Sequence, residues 1–258
     1  MTSNNRPAST TRNLLDIQRT IFTTSDTQTH HGHEHTRPKS RGGPPPLIIF
    51  ILGPPGAGKG TQSAALRFKI PRLTHLSYGD LIRHQATIPG SLVTSFPRRY
   101  GKEGSPVLPA DVAVKLLRDT IEDGMKRGQM TWIVDGFPRN EEHVTSWLKQ
   151  MPPAQGAFFL RCDSDVLMGR VSGRADGSGR DDDKEHYKVR ERVERSLRES
   201  TAMIDALETN GMRVIRVDAN QSVDLVEEEI FTIVSCVRPP IIAFITLFTR
   251  IICYRSTI

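Results

Sequence analysis

The segment Leu47-Ile-Ile-Phe-Ile-Leu-Gly-Pro-Pro-Gly-Ala-Gly-Lys-Gly-Thr61 joins an apolar run of strand length directly to a glycine-rich loop that ends in lysine. Few chain traces satisfy it: a buried strand has to stop, the backbone has to curl, and a helix has to start, all within one short stretch. The chemistry that needs this order is the binding of a triphosphate. Glycines at Gly53, Gly56, Gly58 and Gly60 let backbone N–H groups approach anionic oxygens closely. A helix starting at the phosphates adds its unpaired first-turn N–H groups and its dipole. Lys59 then reaches the β- and γ-phosphates and Thr61 the metal. The pattern G-x-x-x-x-G-K-[ST] runs from Gly53 to Lys59, but Gly60 stands in its last place and the hydroxyl follows at Thr61.

The 258 residues suffice for one α/β domain with long tails. The formal charge of +6 suggests nucleic acid until it is divided along the chain. Residues 1–46 hold six Arg/Lys against three acids, and residues 237–258 hold three Arg and no acid. Residues 47–236 balance at 26 basic and 26 acidic groups, so no nucleic-acid face is expected. Cys162, Cys236 and Cys253 are odd in number and far apart, which implies a reducing compartment and no structural zinc.

Residues 1–46 are rich in Ser, Thr and Pro and end in Arg41-Gly-Gly-Pro-Pro-Pro46; the expectation is a disordered extension. Arg6, Arg12 and Arg19 among apolar and hydroxyl residues also fit an organelle transit peptide. The cluster His30-His31-Gly-His33-Glu-His35 fits either a solvated tail or a transition-metal site. Pro239 to Tyr254 is apolar but falls short of the roughly 20 residues of a membrane span, so no integral span is expected and the role of 237–258 stays open.

Apolar runs at 47–52, 74–76, 131–134, 157–161 and 212–217 alternate with helical patterns at 60–69, 110–127, 140–150, 164–172, 184–209 and 222–236. Such alternation predicts a parallel sheet with helices on both faces and ligands at the carboxyl ends of its strands.

Thr131-Trp-Ile-Val-Asp135-Gly-Phe-Pro-Arg139 reads as a buried strand ending in a carboxylate. Beside a phosphate loop, Asp135 would orient magnesium through its waters; alone it fits an ordinary strand end. Gly173-Arg-Ala-Asp-Gly-Ser-Gly-Arg-Asp-Asp-Asp183 is supple enough to close arginines over a phosphate, or to be an ordinary polar loop. Arg83, Arg139, Arg170, Arg174, Arg180 and Arg192 form a set of guanidinium groups whose planar forks match a transferring phosphoryl group. Arg190, Arg195 and Arg198 read as the solvated face of a charged helix, and Trp132 and Trp147 as packing residues.

The chain resembles the adenylate kinase family of nucleoside monophosphate kinases through Gly53 to Gln62, Thr74-His-Leu-Ser-Tyr-Gly-Asp-Leu-Ile-Arg83, Asp135 to Arg139, Ser178-Gly-Arg-Asp-Asp-Asp183 and Val217 to Asp224. These five motifs, in order, lie within residues 47–236. The resemblance implies a P-loop NTPase three-layer sandwich: a five-stranded parallel sheet with helices on both faces, a monophosphate-binding region at about 77–108 and a short lid at about 173–183. It implies that Gly56, Ala57, Gly58, Lys59, Gly60 and Thr61 bind ATP phosphates, with Arg170, Arg174 and Gln221 on the ATP side. Arg83, Pro106, Val107, Leu108, Gly136, Phe137, Pro138 and Arg139 would hold the monophosphate. Arg180 and Arg192 would bridge the two phosphates, with Asp182 or Asp183 as lid partners. Lys59, Arg139, Arg180 and Arg192 are then the catalytic set, with Mg2+ carried by ATP near Asp135 and Thr61.

Four positions depart from the family pattern. Tyr78 replaces a small Thr or Ala. His143 replaces the Gln or Asn that reads the acceptor base. The loop Glu103 to Pro109 is one residue longer, and so is the spacing from Arg180 to Arg192, which leaves Arg190 as a second candidate for that role. The expected partners are ATP and a nucleoside monophosphate, UMP or CMP being favoured over AMP from Arg139-Asn140 and the lid. The alternatives are a nucleotide-binding protein that has lost catalysis and a kinase for another small metabolite. A monomer in the cytoplasm is expected, with nucleus as a second site, or mitochondrion through the N-terminal extension.

Overall fold

The computed structural model describes residues 44–97, 108–173 and 186–237, excepting the side chains of His186, Lys188, Cys236 and Val237. The tails, the His30–His35 cluster, Pro106, Val107, Arg174, Arg180, Asp182 and Asp183 lie outside the described residues. Described residues up to 230 form one unit; residues 231–237, the end of the last helix, are assigned to a second unit.

The elements run in alternation: β1 (Leu47–Leu52), α1 (Lys59–Lys69), β2 (Leu73–Ser77), α2 (Tyr78–Ala86), α3 (Ala110–Lys126), β3 (Thr131–Asp135), α4 (Glu141–Gln150), β4 (Gly156–Arg161), α5 (Ser164–Ser172), α6 (His186–Thr209), β5 (Val214–Asp218) and α7 (Val223–Val237). All four strand pairings are parallel, and the order is β2-β3-β1-β4-β5. This is the α/β fold expected from the five apolar runs. α2 was not foreseen, because its nine residues carry a glycine in second place and too short an apolar period to stand out. It forms because the Ser77 hydroxyl accepts the Asp80 N–H at 3.3 Å and because Tyr78 and Ile82 bury one face.

Alternation along each strand divides the core into two layers. Ile48, Phe50, Leu52, Trp132, Val134, Ala157 and Phe159 pack in one cluster with Val114, Leu117 and Ile121 of α3, Val144 and Trp147 of α4, and Met203 and Leu207 of α6. On the alternate strand positions, Ile51, Ile133, Phe158 and Leu160 are buried outside that cluster. Both tryptophans pack, as their sequence context implied. Trp147 meets Phe50 edge-on at 5.0 Å and donates from Nε1 to the Pro152 carbonyl at 3.2 Å. Trp132 fills the space beside Gly124, where a Cβ would fall 2.3 Å from its ring.

Register places the site. Asp135 pairs with Ile51 on one side and Ser77 on the other, so the carboxyl ends of β1, β2 and β3 finish level with one another. Each strand then feeds a loop or helix that borders the same opening.

Candidate active site

β1 runs into the glycine loop, and two glycines show why the loop tolerates nothing larger. Gly56 has φ +87°, and a Cβ there would lie 2.8 Å from the Leu167 carbonyl of α5. Gly58 has φ +91° and occupies the N-cap of α1, where the chain passes through the left-handed region before turning helical. No acidic residue stands in the first turn of α1, so its positive end is not offset. Lys59 lies across the loop, its Nζ donating to the Gly53 and Pro54 carbonyls at 2.8 and 2.9 Å. Ala57, within the loop, is buried and does not line the cavity that the loop borders.

Asp135 is buried at the end of β3, and its Oδ2 lies 3.7 Å from where a Cβ on Gly60 would sit. The His75 Nε2 stands 3.5 Å from the same oxygen. Asp135 and Thr61 border one cavity. A single carboxylate and a hydroxyl suit a hard cation that keeps most of its waters and takes its other oxygens from phosphate.

Across this cavity, of about 330 Å³, two arginines converge. A Cβ on Gly79 would lie 3.3 Å from a terminal nitrogen of Arg83 and 3.7 Å from one of Arg139. Arg83 pairs with Asp80 one turn earlier. Arg139 follows the cis Phe137–Pro138 peptide and donates from Nε to the Gly136 carbonyl at 3.1 Å. Its backbone N–H donates to Nδ1 of His143 at 3.2 Å, and its guanidinium covers the Tyr78 ring at 4.8 Å. Asn140, next along, caps α4 by accepting the His143 N–H at 2.9 Å.

The third wall is one face of α6. Arg192, Arg195, Glu199 and Met203 recur at helical spacing along the cavity. Of the two candidates that sequence spacing left open, Arg192 borders the cavity; Arg190, its side chain 75% exposed, pairs with Glu194 at 2.9 Å. Arg195 is a correction. Read as solvated with Arg190 and Arg198, it is 26% exposed, pairs with Glu191 and borders the cavity. His75, Arg195 and Glu199 are therefore wall residues that sequence reasoning missed. The period of α6 gives no signal for Arg195: at about 100° per residue it lies roughly 140° from the middle of the buried Val189 and Val193 stripe, farther round the helix than Arg190 at roughly 80°.

The remaining expected residues divide by place. Gly56, Gly58, Lys59, Gly60, Thr61, Arg83, Gly136, Pro138, Arg139 and Arg192 all border the cavity. Leu108 is buried in the core at the foot of α3. Phe137 and His143 are buried against each other at 4.9 Å and not on the cavity wall, although His143 was expected at the acceptor base. Arg170 donates to the Ala219 carbonyl at 2.8 Å, and the Gln221 side chain to the Asp218 carbonyl at 3.1 Å, both beyond the β5 end and off the cavity wall. Burial pushes the Cys162 thiol up despite the nearby Arg170 charge, which keeps it protonated.

A glycine loop, a strand-end carboxylate and arginines opposite them can hold two phosphate groups end to end. Comparison of sequences decides the family. The sequence model described as adenylate kinase matches residues 51–212. This chain belongs to the adenylate kinase family. Within it, the chain is 38% identical to the UMP-CMP kinase of Gallus gallus over 193 residues, which span 73% of this chain and 96% of that one. It is 35% identical to the UMP-CMP kinase of Homo sapiens over the same shares, and 32% identical to the uridylate kinase of Schizosaccharomyces pombe over 70% and 94%. The chain is a nucleoside monophosphate kinase of the P-loop α/β type. Among the described residues no helix is long and apolar enough to cross a membrane.

Proposed function

We infer that this kinase transfers the γ-phosphoryl group of ATP, with Mg2+, to UMP or CMP in preference to AMP. The observation that carries the reading is the convergence of Arg83 and Arg139 on one point above Gly79, across the cavity from Lys59 and Thr61. A monophosphate gripped there presents an oxygen toward a γ-phosphate held by the glycine loop.

An acceptor oxygen attacks the γ-phosphorus, a new P–O bond forms, the bond to the β,γ-bridging oxygen breaks, and ADP departs with that electron pair. The acceptor phosphate has a second pKa of about 6 and is already a nucleophile at neutral pH, so no general base is required. Catalysis is then placement and charge. Lys59 and the first turn of α1 hold the donor phosphates, Arg83 and Arg139 hold the acceptor, and Arg192 faces the space between; Arg180 joins them in this reading. Bound Mg2+ would neutralise β- and γ-oxygens, with Thr61 and, through water, Asp135 as the residues that hold it.

The pyrimidine preference rests on the relatives, two of them UMP-CMP kinases and one a uridylate kinase. A coupled assay with UMP, CMP, AMP and GMP at matched concentrations tests it. The expected order of kcat/KM is UMP and CMP first, AMP next. AMP as the leading acceptor would overturn the preference while leaving the kinase class intact.

A further inference from the structure

We propose that Tyr78 is a positioning residue: its ring is the shelf that aims Arg139 at the acceptor phosphate, a role that rests on the phosphoryl-transfer reading above. Arg139 is an exposed side chain on a loop, and an unrestrained arginine of that kind loses rotamer freedom when it is fixed. It also has to point toward Arg83, a like charge, over Gly79. Something has to hold it there before substrate arrives.

Three contacts among the described residues do so. The Arg139 N–H on His143 Nδ1 fixes its backbone, and Nε on the Gly136 carbonyl fixes the middle of the side chain. The Tyr78 ring, 4.8 Å from Cζ, lies under the guanidinium and offers its negative face to the cation, partly offsetting the repulsion from Arg83. A shelf is useful only if it does not move, and this one is fixed. Tyr78 is 2% exposed and meets Phe137 edge-on at 5.3 Å and His143 at 6.1 Å. Phe137 in turn meets Phe50 of β1 at 6.2 Å and Trp147 of α4 at 5.7 Å. The aromatic chain runs from the sheet to the guanidinium, and interior packing of this density transmits position well. The small Thr or Ala expected at this place has no face to offer. Tyr78 does not line the cavity itself; it supports Arg139, which does.

The test uses the full chain and two substitutions. Tyr78→Phe keeps the ring and Tyr78→Leu keeps apolar volume without it. Steady-state kinetics should show KM for the monophosphate raised about three- to tenfold in Tyr78→Leu, KM for ATP changed less than about twofold, and Tyr78→Phe close to wild type. Should Tyr78→Leu not fold, Tyr78→Met gives the same comparison. Equal shifts in both KM values, or a Phe variant as impaired as Leu, would overturn the proposal. A second readout needs no turnover: the Arg139 Nε–H resonance in 15N NMR should move and exchange faster with water in Tyr78→Leu but not in Tyr78→Phe. An unchanged resonance in the Leu variant would also overturn it. If the wild type phosphorylated no monophosphate, the kinase reading would fail while this resonance still decided the positioning claim.

Discussion

Asp135 and Ile51 face each other in the parallel register of β3 and β1, and that pairing sets a buried carboxylate against the first turn of α1, with its Oδ2 3.7 Å from a Cβ position on Gly60. The arrangement needs no flexible loop to bring the acid to the phosphates, because the strand end does it. Asp135→Asn keeps the shape and removes the charge. Its kcat should fall about 10²-fold or more with little change in the unfolding midpoint, and raising Mg2+ should recover part of the loss. Titration of activity against Mg2+ in both proteins checks this.

Lys59 contributes a charge that the glycine loop by itself cannot. Lys59→Met should lower kcat/KM for ATP by about 10³-fold and leave circular dichroism unchanged. The Nζ bonds to the Gly53 and Pro54 carbonyls are part-buried, and losing them should cost on the order of 1 kcal/mol of stability.

Arg195 and Arg190 make a matched pair on one helix. Arg195→Ala should raise KM for the monophosphate several-fold, since it removes a cation from the cavity wall, whereas Arg190→Ala should stay within about twofold of wild type. Kinetics of the two variants side by side separate wall from surface.

How much of this could be read in the sequence depends on what each feature rests on. The sheet was legible because Leu47–Leu52, Thr131–Asp135 and Gly156–Arg161 are near-continuous apolar runs, as strands covered on both faces have to be. The phosphate loop was legible because its glycines answer to local geometry. Tyr78 and His143 were not. Their places depend on a long-range aromatic cluster joining α2, α4 and β1, which no local pattern encodes. Arg195 was misread for a related reason: charge alone marks a helix face as solvated, and only the third dimension shows that the solvent there is a cavity.

Trp147 anchors that cluster. Trp147→Ala should destabilise the fold by about 3–5 kcal/mol, read from urea unfolding, through loss of contacts with Phe50 and Phe137 and the cavity left behind.

Glu229 is half-buried, and burial first, then the Asp218 charge, pushes its carboxyl above the ordinary value of 4.5. A carboxylate whose folded pKa is raised favours the folded state below its unfolded pKa and loses that advantage as pH rises through the folded one. Glu229→Gln should therefore raise the unfolding midpoint at pH 7, and the gain should vanish below about pH 4.5. Thermal unfolding across that range checks the sign.

The central claim, that the cavity passes a phosphoryl group between two nucleotides, is tested most directly by 31P NMR of the protein with Mg2+, ATP and UMP. The account predicts that ADP and UDP grow together in equal amounts without inorganic phosphate. ATP that stays intact, or that yields ADP and inorganic phosphate with UMP unchanged, would contradict it.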